Sequence, residues 1–347
     1  MTEISCIDVA EGANWTLWNA DCVEVLAQLP DNSVDFSVFS PPFANLYIYS
    51  ESARDMGNVE NNEAFQEAYS FVARELFRIT KPGRLCSIHV KDLVYYSNAS
   101  AKGDRGLTDF SGDCIKTHKA ADWTLHSKVT VRRCPVREMT KSKPDGLLYK
   151  NFRLDAARVR QGLPEYIITF RKWAEGDQAE PVVHLPGLWP EWGGEGVQFV
   201  SNRTPDGLEL PDYAALSDKL QKQDPRYLEA LDIWQKWADP VWLDTSETNV
   251  LNVKQAANED AEKHLCPMPL DIIDRCIRLW SNPGDVVLSP FAGIGSEGYQ
   301  ALRADRKFLG IELNPNYWRD AAKNLADAEA NAPQFFSEVE PKGAMAC

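Results

Sequence analysis

The chain has 347 residues, 44% of them hydrophobic and 25% charged. That supports a sizeable buried core and, at about 100–200 residues per domain, two domains or one large α/β domain with an insertion. No apolar run approaches the ~18 residues of a membrane span, and the opening MTEISCIDVAEGANW has neither the basic start nor the apolar centre of a secretory signal, so a cytoplasmic, non-membrane chain is expected. A net charge of −14 argues against nucleic acid, but Lys91 to Lys172 carries 17 Lys and Arg against 9 Asp and Glu, the pattern of one basic face on an acidic body.

In chain order, Trp15 to Leu29 reads as a short strand, a turn at Asn19-Ala20-Asp21 and a brief helix stopped by Pro30. A strand with Val34, Phe36 and Val38 follows. It is cut off by Pro41-Pro42, because proline cannot donate to a ladder. Glu63 to Ile79 is an amphipathic helix with Phe65, Tyr69, Val72 and Leu76 on one stripe, ended by Lys81-Pro82-Gly83. Leu85–Val90 is a strand, Ser97 to Gly112 a flexible loop, and Trp123–Val131 and Glu165–Phe170 are two more strands, with the basic stretch between and around them. From Gln178 to about Asp244 the chain turns rich in Pro, Gly and Trp and loses periodicity, as an insertion or small second domain does. From Cys266 onward the order is helix Leu270–Trp280, strand Val286–Leu288, a helix from Ser296, strand Phe308–Ile311, helix Tyr317–Ala330 and a loose tail. The expected division is one α/β domain in two halves, 1–177 and 246–335, with 178–245 inserted and 336–347 as tail. The alternation predicts a mostly parallel, doubly wound sheet with helices on both faces and ligands outside its carboxyl edge.

The eight cysteines are scattered without a CxxC pair and the five histidines are dispersed, so free thiols in a reducing compartment are expected, and no metal site.

Two segments carry chemistry. In DVVLSPFAGIGSEG a β run ends and Ser289, Pro290, Phe291, Ala292, Gly293, Ile294, Gly295 and Ser296 open a helix. Glycine permits a tight turn and close ligand approach, and the free amides of the helix start favour an anionic group such as a carboxylate. The next strand ends in Glu312, placed to accept hydrogen bonds from both hydroxyls of a ribose. There is neither a complete GxGxxG nor a P-loop lysine, so a nucleoside cofactor without phosphates fits best, and S-adenosyl-L-methionine is the candidate. In VDFSVFSPPFANLY, Ser40, Pro41, Pro42 and Phe43 stand just after a strand. The prolines fix the backbone and remove donors, leaving the Pro41 carbonyl and Ser40 Oγ as two acceptors for an exocyclic –NH₂, while Phe43 offers a stacking face.

SPPF together with SPFAGIGS resembles the motifs of S-adenosylmethionine-dependent DNA amino-methyltransferases, which modify N6 of adenine or N4 of cytosine, and the likeness runs from about residue 15 to 328. The motif order resembles the circularly permuted β group. SPPFANLYIYSESARDMGN, the KPGR turn and EKHLCPMPLDIIDRCIRLWSNPGDVVLSPFAGIGSEGY are similar to a prophage-borne group that includes adenine methyltransferases of little sequence specificity. The resemblance implies a Rossmann-like methyltransferase fold with an inserted recognition region. It implies that Asp21 contacts the cofactor adenine, that Ser289 to Ser296 cradle the methionine part, and that Glu312 takes the ribose. Lys263, His264 and Pro267, within KHLCP, match a segment closing over the methionine end. The chain departs from the family at Ser289, where the loop usually begins with Asp, so a carboxylate contact to the cofactor amino group is lost or replaced by a hydroxyl.

The expected reaction is methyl transfer to the amino group of a flipped-out base of double-stranded DNA, N6 of adenine with relaxed specificity, by a monomer or homodimer, in a restriction-modification or prophage setting. Serine in the catalytic motif leans toward N4 of cytosine, the alternative. RNA or a protein amide as acceptor, a silent DNA-binding or protective protein, and a nicotinamide-dependent oxidoreductase are the other readings. C5 methylation of cytosine is set aside, since Cys134-Pro135 and Cys266-Pro267 run in the reverse of the required Pro-Cys order. Lys128, Arg132, Arg133, Arg137, Lys141, Lys143 and Arg158 are the expected phosphate contacts.

Overall fold

Asp8–Glu11 (β1) turns at Gly12 and pairs antiparallel with Trp15–Asn19 (β2), forming a hairpin at one edge of the main sheet. The computed structural model describes residues 4, 6–42, 55–59, 61–97, 102–141, 146–173, 175–176, 178–184, 203–204, 206–251 and 267–331. Asp21 caps the short helix Cys22–Leu26 (α1) by accepting from the Val23 amide at 2.9 Å. Val34–Phe39 (β3) is buried at every position, as a central strand covered on both faces must be. Asn62–Ile79 (α2), capped by Asn61, leads directly into Thr80–Val90 (β4).

Leu93–Tyr95 (β5) and Gly106–Thr108 (β6) form a small separate hairpin, followed by Phe110–Ala120 (α3). Part of the span expected as a flexible loop is therefore ordered: Asp109, one of its turn-forming residues, caps α3 through the Gly112 amide. Thr124–Val131 (β7), Pro135–Lys141 (α4), Tyr149–Leu154 (α5) and Glu165–Arg171 (β8) complete this half. Asp218–Gln221 (α6), Pro225–Ala238 (α7) and the two-residue strand Val241–Trp242 (β9) come next. Then follow Leu270–Trp280 (α8), Val286–Ser289 (β10), Ser296–Arg303 (α9), Lys307–Glu312 (β11) and Pro315–Ala330 (α10).

Among the described residues nine strands form one sheet in the order β1-β2-β11-β10-β3-β4-β8-β7-β9. β2, β11, β10, β3 and β4 run parallel to their neighbours within that block, while β8 is antiparallel to both of its neighbours, β4 and β7. This is a Rossmann-like α/β fold with a mostly parallel, mixed sheet. Phe65, Tyr69, Val72 and Leu76 of α2 pack on one face with Phe39 and Ile88, whereas Ile273 and Ile277 of α8 and Leu325 of α10 pack on the other with Phe36 and Val287. β9, inside the span read as inserted, pairs parallel with β7 and forms the far edge of the sheet. At the opposite end of β3 from the site, buried Asp35 holds Lys81 Nζ at 2.7 Å and the Val286 amide at 3.0 Å, locking the starts of β3, β4 and β10 together.

Candidate active site

β3 and β10 are neighbours, Ser37 opposite Leu288, and both end at the same sheet edge. The Ser40-Pro41 corner therefore leaves the sheet beside the Ser289–Gly295 turn. Phe39 and Phe291 tie the two together, their ring centroids 5.8 Å apart. Ala20-Asp21 after β2 and Leu313-Asn314 after β11 leave from the same edge. These loops surround one cavity of about 940 Å³, counting its open mouth, lined by Ser40, Pro41, Pro42, Asp21, Pro267, Pro290, Phe291, Gly293, Ser296 and Glu312. The catalytic and cofactor segments read from the sequence thus line one cavity.

Glu312 shapes the glycine turn. One of its carboxylate oxygens accepts from the Gly293 amide at 2.8 Å and the other from the Asn314 amide at 2.7 Å. The Ala292 amide donates to the Ile311 carbonyl at 2.9 Å, pressing the loop onto the end of β11. Gly295 sits at φ +84°, and a Cβ there would lie 3.2 Å from Ala321 Cα, so both backbone conformation and packing require glycine. Burial pushes the Glu312 carboxyl up to about 7, against the pull of its amide donors.

Ser40 Oγ donates to the His89 carbonyl at 2.9 Å. A hydroxyl has one proton and two lone pairs, so this bond leaves Ser40 as an acceptor toward the cavity. His89 in turn holds Glu165 at 2.9 Å, and Glu165 is ion-paired with Arg133 at 2.9 Å. Pairing with His89 and the cations of Arg133 and Lys91 hold the Glu165 carboxyl down at about 2 despite its burial.

Ser289 is fully buried at the end of β10, its Oγ without a partner among the described residues, and it does not line the cavity. Phe43, Lys263, His264 and Lys143 lie outside the described residues, as does the side chain of Lys141. Asp55, Met56, Met268, Glu297, Asn314 and Tyr317 also line the cavity and were not singled out from the sequence. Two of them carried a local signal. Asp55 stands two residues before Gly57, whose amide it accepts at 2.8 Å, and Asn314-Pro315 spells a helix cap just past Glu312. Cys22 lines the cavity, but burial drives its thiol pKa far up, so it offers no thiolate nucleophile at neutral pH.

The expected phosphate contacts divide. Lys128, Arg132 and Arg158 are exposed, with Lys128 Nζ 4.0 Å above the Tyr166 ring. Arg133 is engaged by Glu165, and Arg137 by Glu247 at 3.3 Å. Arg158 lines a second groove with Arg105 and Arg160. Among the described residues no helix is long and apolar enough to cross a membrane, and no group of His, Cys, Asp and Glu is arranged to hold a metal ion.

Four carboxyl-bearing residues, Asp21, Asp55, Glu297 and Glu312, line the cavity, with no Lys, Arg or His beside them among its described lining residues. A cationic nucleoside suits such a wall and a polyphosphate does not. Fold and site together define a Rossmann-like α/β domain with a Ser-Pro-Pro corner lining an acid-rich cavity at the carboxyl edge of its sheet. The N6/N4 DNA methylase family matches residues 34–323, and the chain belongs to it.

The type II methyltransferase M.Cfr9I of Citrobacter freundii is 24% identical over 318 residues, 91% of this chain and 89% of that enzyme. The DNA adenine methyltransferase YhdJ of Escherichia coli K12 is 34% identical over 84 residues, 24% of this chain and 29% of that enzyme. Among solved structures, a DNA modification methylase of Thermus thermophilus complexed with S-adenosyl-L-methionine superposes with a TM-score of 0.56 at 21% identity, covering 92% of this chain and 97% of that one.

Proposed function

We propose that this DNA methylase transfers a methyl group from S-adenosyl-L-methionine to the exocyclic amino group of a base flipped out of double-stranded DNA, N6 of adenine, with relaxed sequence specificity. The observation that carries the reading is the shared cavity, lined by Ser40, Pro41 and Pro42 together with Gly293 and Glu312. When bound, the cofactor supplies a methyl group made electrophilic by a sulfonium.

The chain's own residues do the rest. Glu312 holds the ribose hydroxyls, Asp21 the adenine, and the Pro290–Ser296 turn the methionine end. Ser40 Oγ and the Pro41 carbonyl accept the two N–H bonds of the base amine. That pairing draws the nitrogen lone pair out of the ring, where delocalisation makes it a poor nucleophile, and aims it at the cofactor side of the cavity. Acceptors fixed in advance also stabilise the positive charge that develops on nitrogen. Phe43 stacks on the extrahelical base and offsets part of the few kcal/mol that flipping costs. The exposed Lys128, Arg132 and Arg158 hold phosphates, and residues 178–245 approach the target. The motif order, SPPF before the glycine turn, fits a permuted β-group enzyme.

The similarity to the prophage-borne group and the local match to an adenine methyltransferase favour adenine. The serine in SPPF favours the second reading, N4 of cytosine. Tritium transfer to unmethylated DNA followed by nucleoside mass spectrometry tests the proposal: labelled N6-methyladenine is the expected product, N4-methylcytosine would install the second reading, and no transfer would overturn both.

A further inference from the structure

The glycine turn carries an acid in an unexpected place. Ser289, where related loops begin with a carboxylate, is fully buried and its Oγ bonds to nothing among the described residues. Across the turn, Glu297 is the second residue of α9. It is 5% exposed, lines the cavity, and takes a hydrogen bond from its own backbone amide and from no other described residue. Its nearest charged influence is another acid, Glu312, on the adjacent β11. Ser296 Oγ beside it is also buried and unpartnered.

A buried carboxylate with no cationic partner is expensive to keep, and such groups are found where a ligand supplies the missing charge. Glu312, at the strand end, occupies the ribose position. Glu297 lines the same cavity two residues past Gly295, next to the turn to which the reading above assigns the amino-acid end of the cofactor. We propose that the Glu297 carboxylate receives the α-ammonium group of the cofactor's methionine moiety, replacing the acid that Ser289 lacks. The proposal rests on the S-adenosylmethionine reading above. Burial and the neighbouring Glu312 push the Glu297 carboxyl up to about 8, as expected of an acid awaiting a cation.

Calorimetric titration of the full chain with two thioether ligands tests it: S-adenosyl-L-homocysteine, which has the ammonium and no sulfonium charge, and 5′-methylthioadenosine, which keeps the nucleoside but has no ammonium. Glu297→Gln should weaken S-adenosyl-L-homocysteine at least tenfold and leave 5′-methylthioadenosine within about twofold, since a charge-assisted bond is lost for one ligand only. Glu297→Asp, a second variant with the charge kept and the reach shortened, should show a smaller loss for the same ligand alone. Equal weakening of both ligands, or of neither, would overturn the role. A wild-type chain that binds neither ligand would overturn the cofactor reading itself, and the proposal with it.

Discussion

Ser40 and His89 are joined by a hydrogen bond in which the serine hydroxyl is the donor and the histidine carbonyl the acceptor, 2.9 Å apart. Because its only proton is committed to β4, Ser40 meets the cavity as an acceptor, the role an exocyclic amine demands. Ser40→Ala should therefore lower kcat by about 100-fold, the order expected for loss of one preorganised group at a developing charge. The S-adenosyl-L-methionine Kd should stay within twofold. Single-turnover methylation and calorimetry measure the two quantities separately, and a parallel loss of both would show that Ser40 shapes the cofactor pocket instead.

Gly295 gives a prediction about folding. At φ +84°, with Ala321 Cα 3.2 Å from the position of an added Cβ, Gly295→Ala must strain the turn or push α10 outward. A left-handed backbone conformation alone costs an L-residue about 1–2 kcal/mol. The variant should show a lower urea midpoint with an unchanged slope, and weaker cofactor binding because Gly293 and Glu312 move with the turn. An unaltered midpoint would mean that the turn adapts freely.

The sequence made these two segments legible for a local reason. Pro41-Pro42 and the Gly293/Gly295 turn are backbone devices whose constraints travel with the residues themselves, and α8 was readable because its apolar period is unbroken from Leu270 to Trp280. Long-range pairings left no such mark. β1 is an exposed edge strand, DVAE, with no buried face to give alternation, and β9 is two residues long and exists only because β7 offers it an edge. Arg133 and Arg137 read as free basic residues because Glu165 and Glu247 are distant in the chain. Glu297 went unnoticed because an acid in the first turn of a helix is an ordinary dipole partner; only its burial against the cavity sets it apart.

Those ion pairs change what charge removal should do. Arg132→Ala and Arg158→Ala, at exposed positions, should weaken binding to all DNA sequences alike and reduce the salt slope by about one per contact. Arg133→Ala should instead expose the Glu165–His89 pair to loss of its cation, lowering stability and disturbing the strand that carries the His89 carbonyl. Fluorescence anisotropy over a salt series, paired with thermal melts, separates the groups. An Arg133→Ala chain of unchanged Tm with a reduced salt slope would make Arg133 a phosphate contact after all.

The two buried glutamates predict how pH acts on the unliganded protein. An ordinary glutamate titrates near 4.5, whereas Glu312 and Glu297 are pushed up to about 7 and about 8. Between those values the folded chain holds protons that the unfolded chain has released, so stability falls as pH rises through the window. The imidazoles of His118, His126 and His184, all held down by burial, act in the opposite sense, an effect that fades as pH rises past the ordinary histidine value of 6.5. From pH 7 to 8.5 the glutamates therefore set the slope: wild-type protein should lose stability over this range in urea unfolding, and Glu297→Gln/Glu312→Gln should not. A cationic ligand reverses the sign, since it binds the ionised carboxylates, and S-adenosyl-L-methionine affinity should climb over the same interval. A flat wild-type profile, with and without ligand, would place both carboxylates in contact with water and remove the electrostatic basis for a cation pocket.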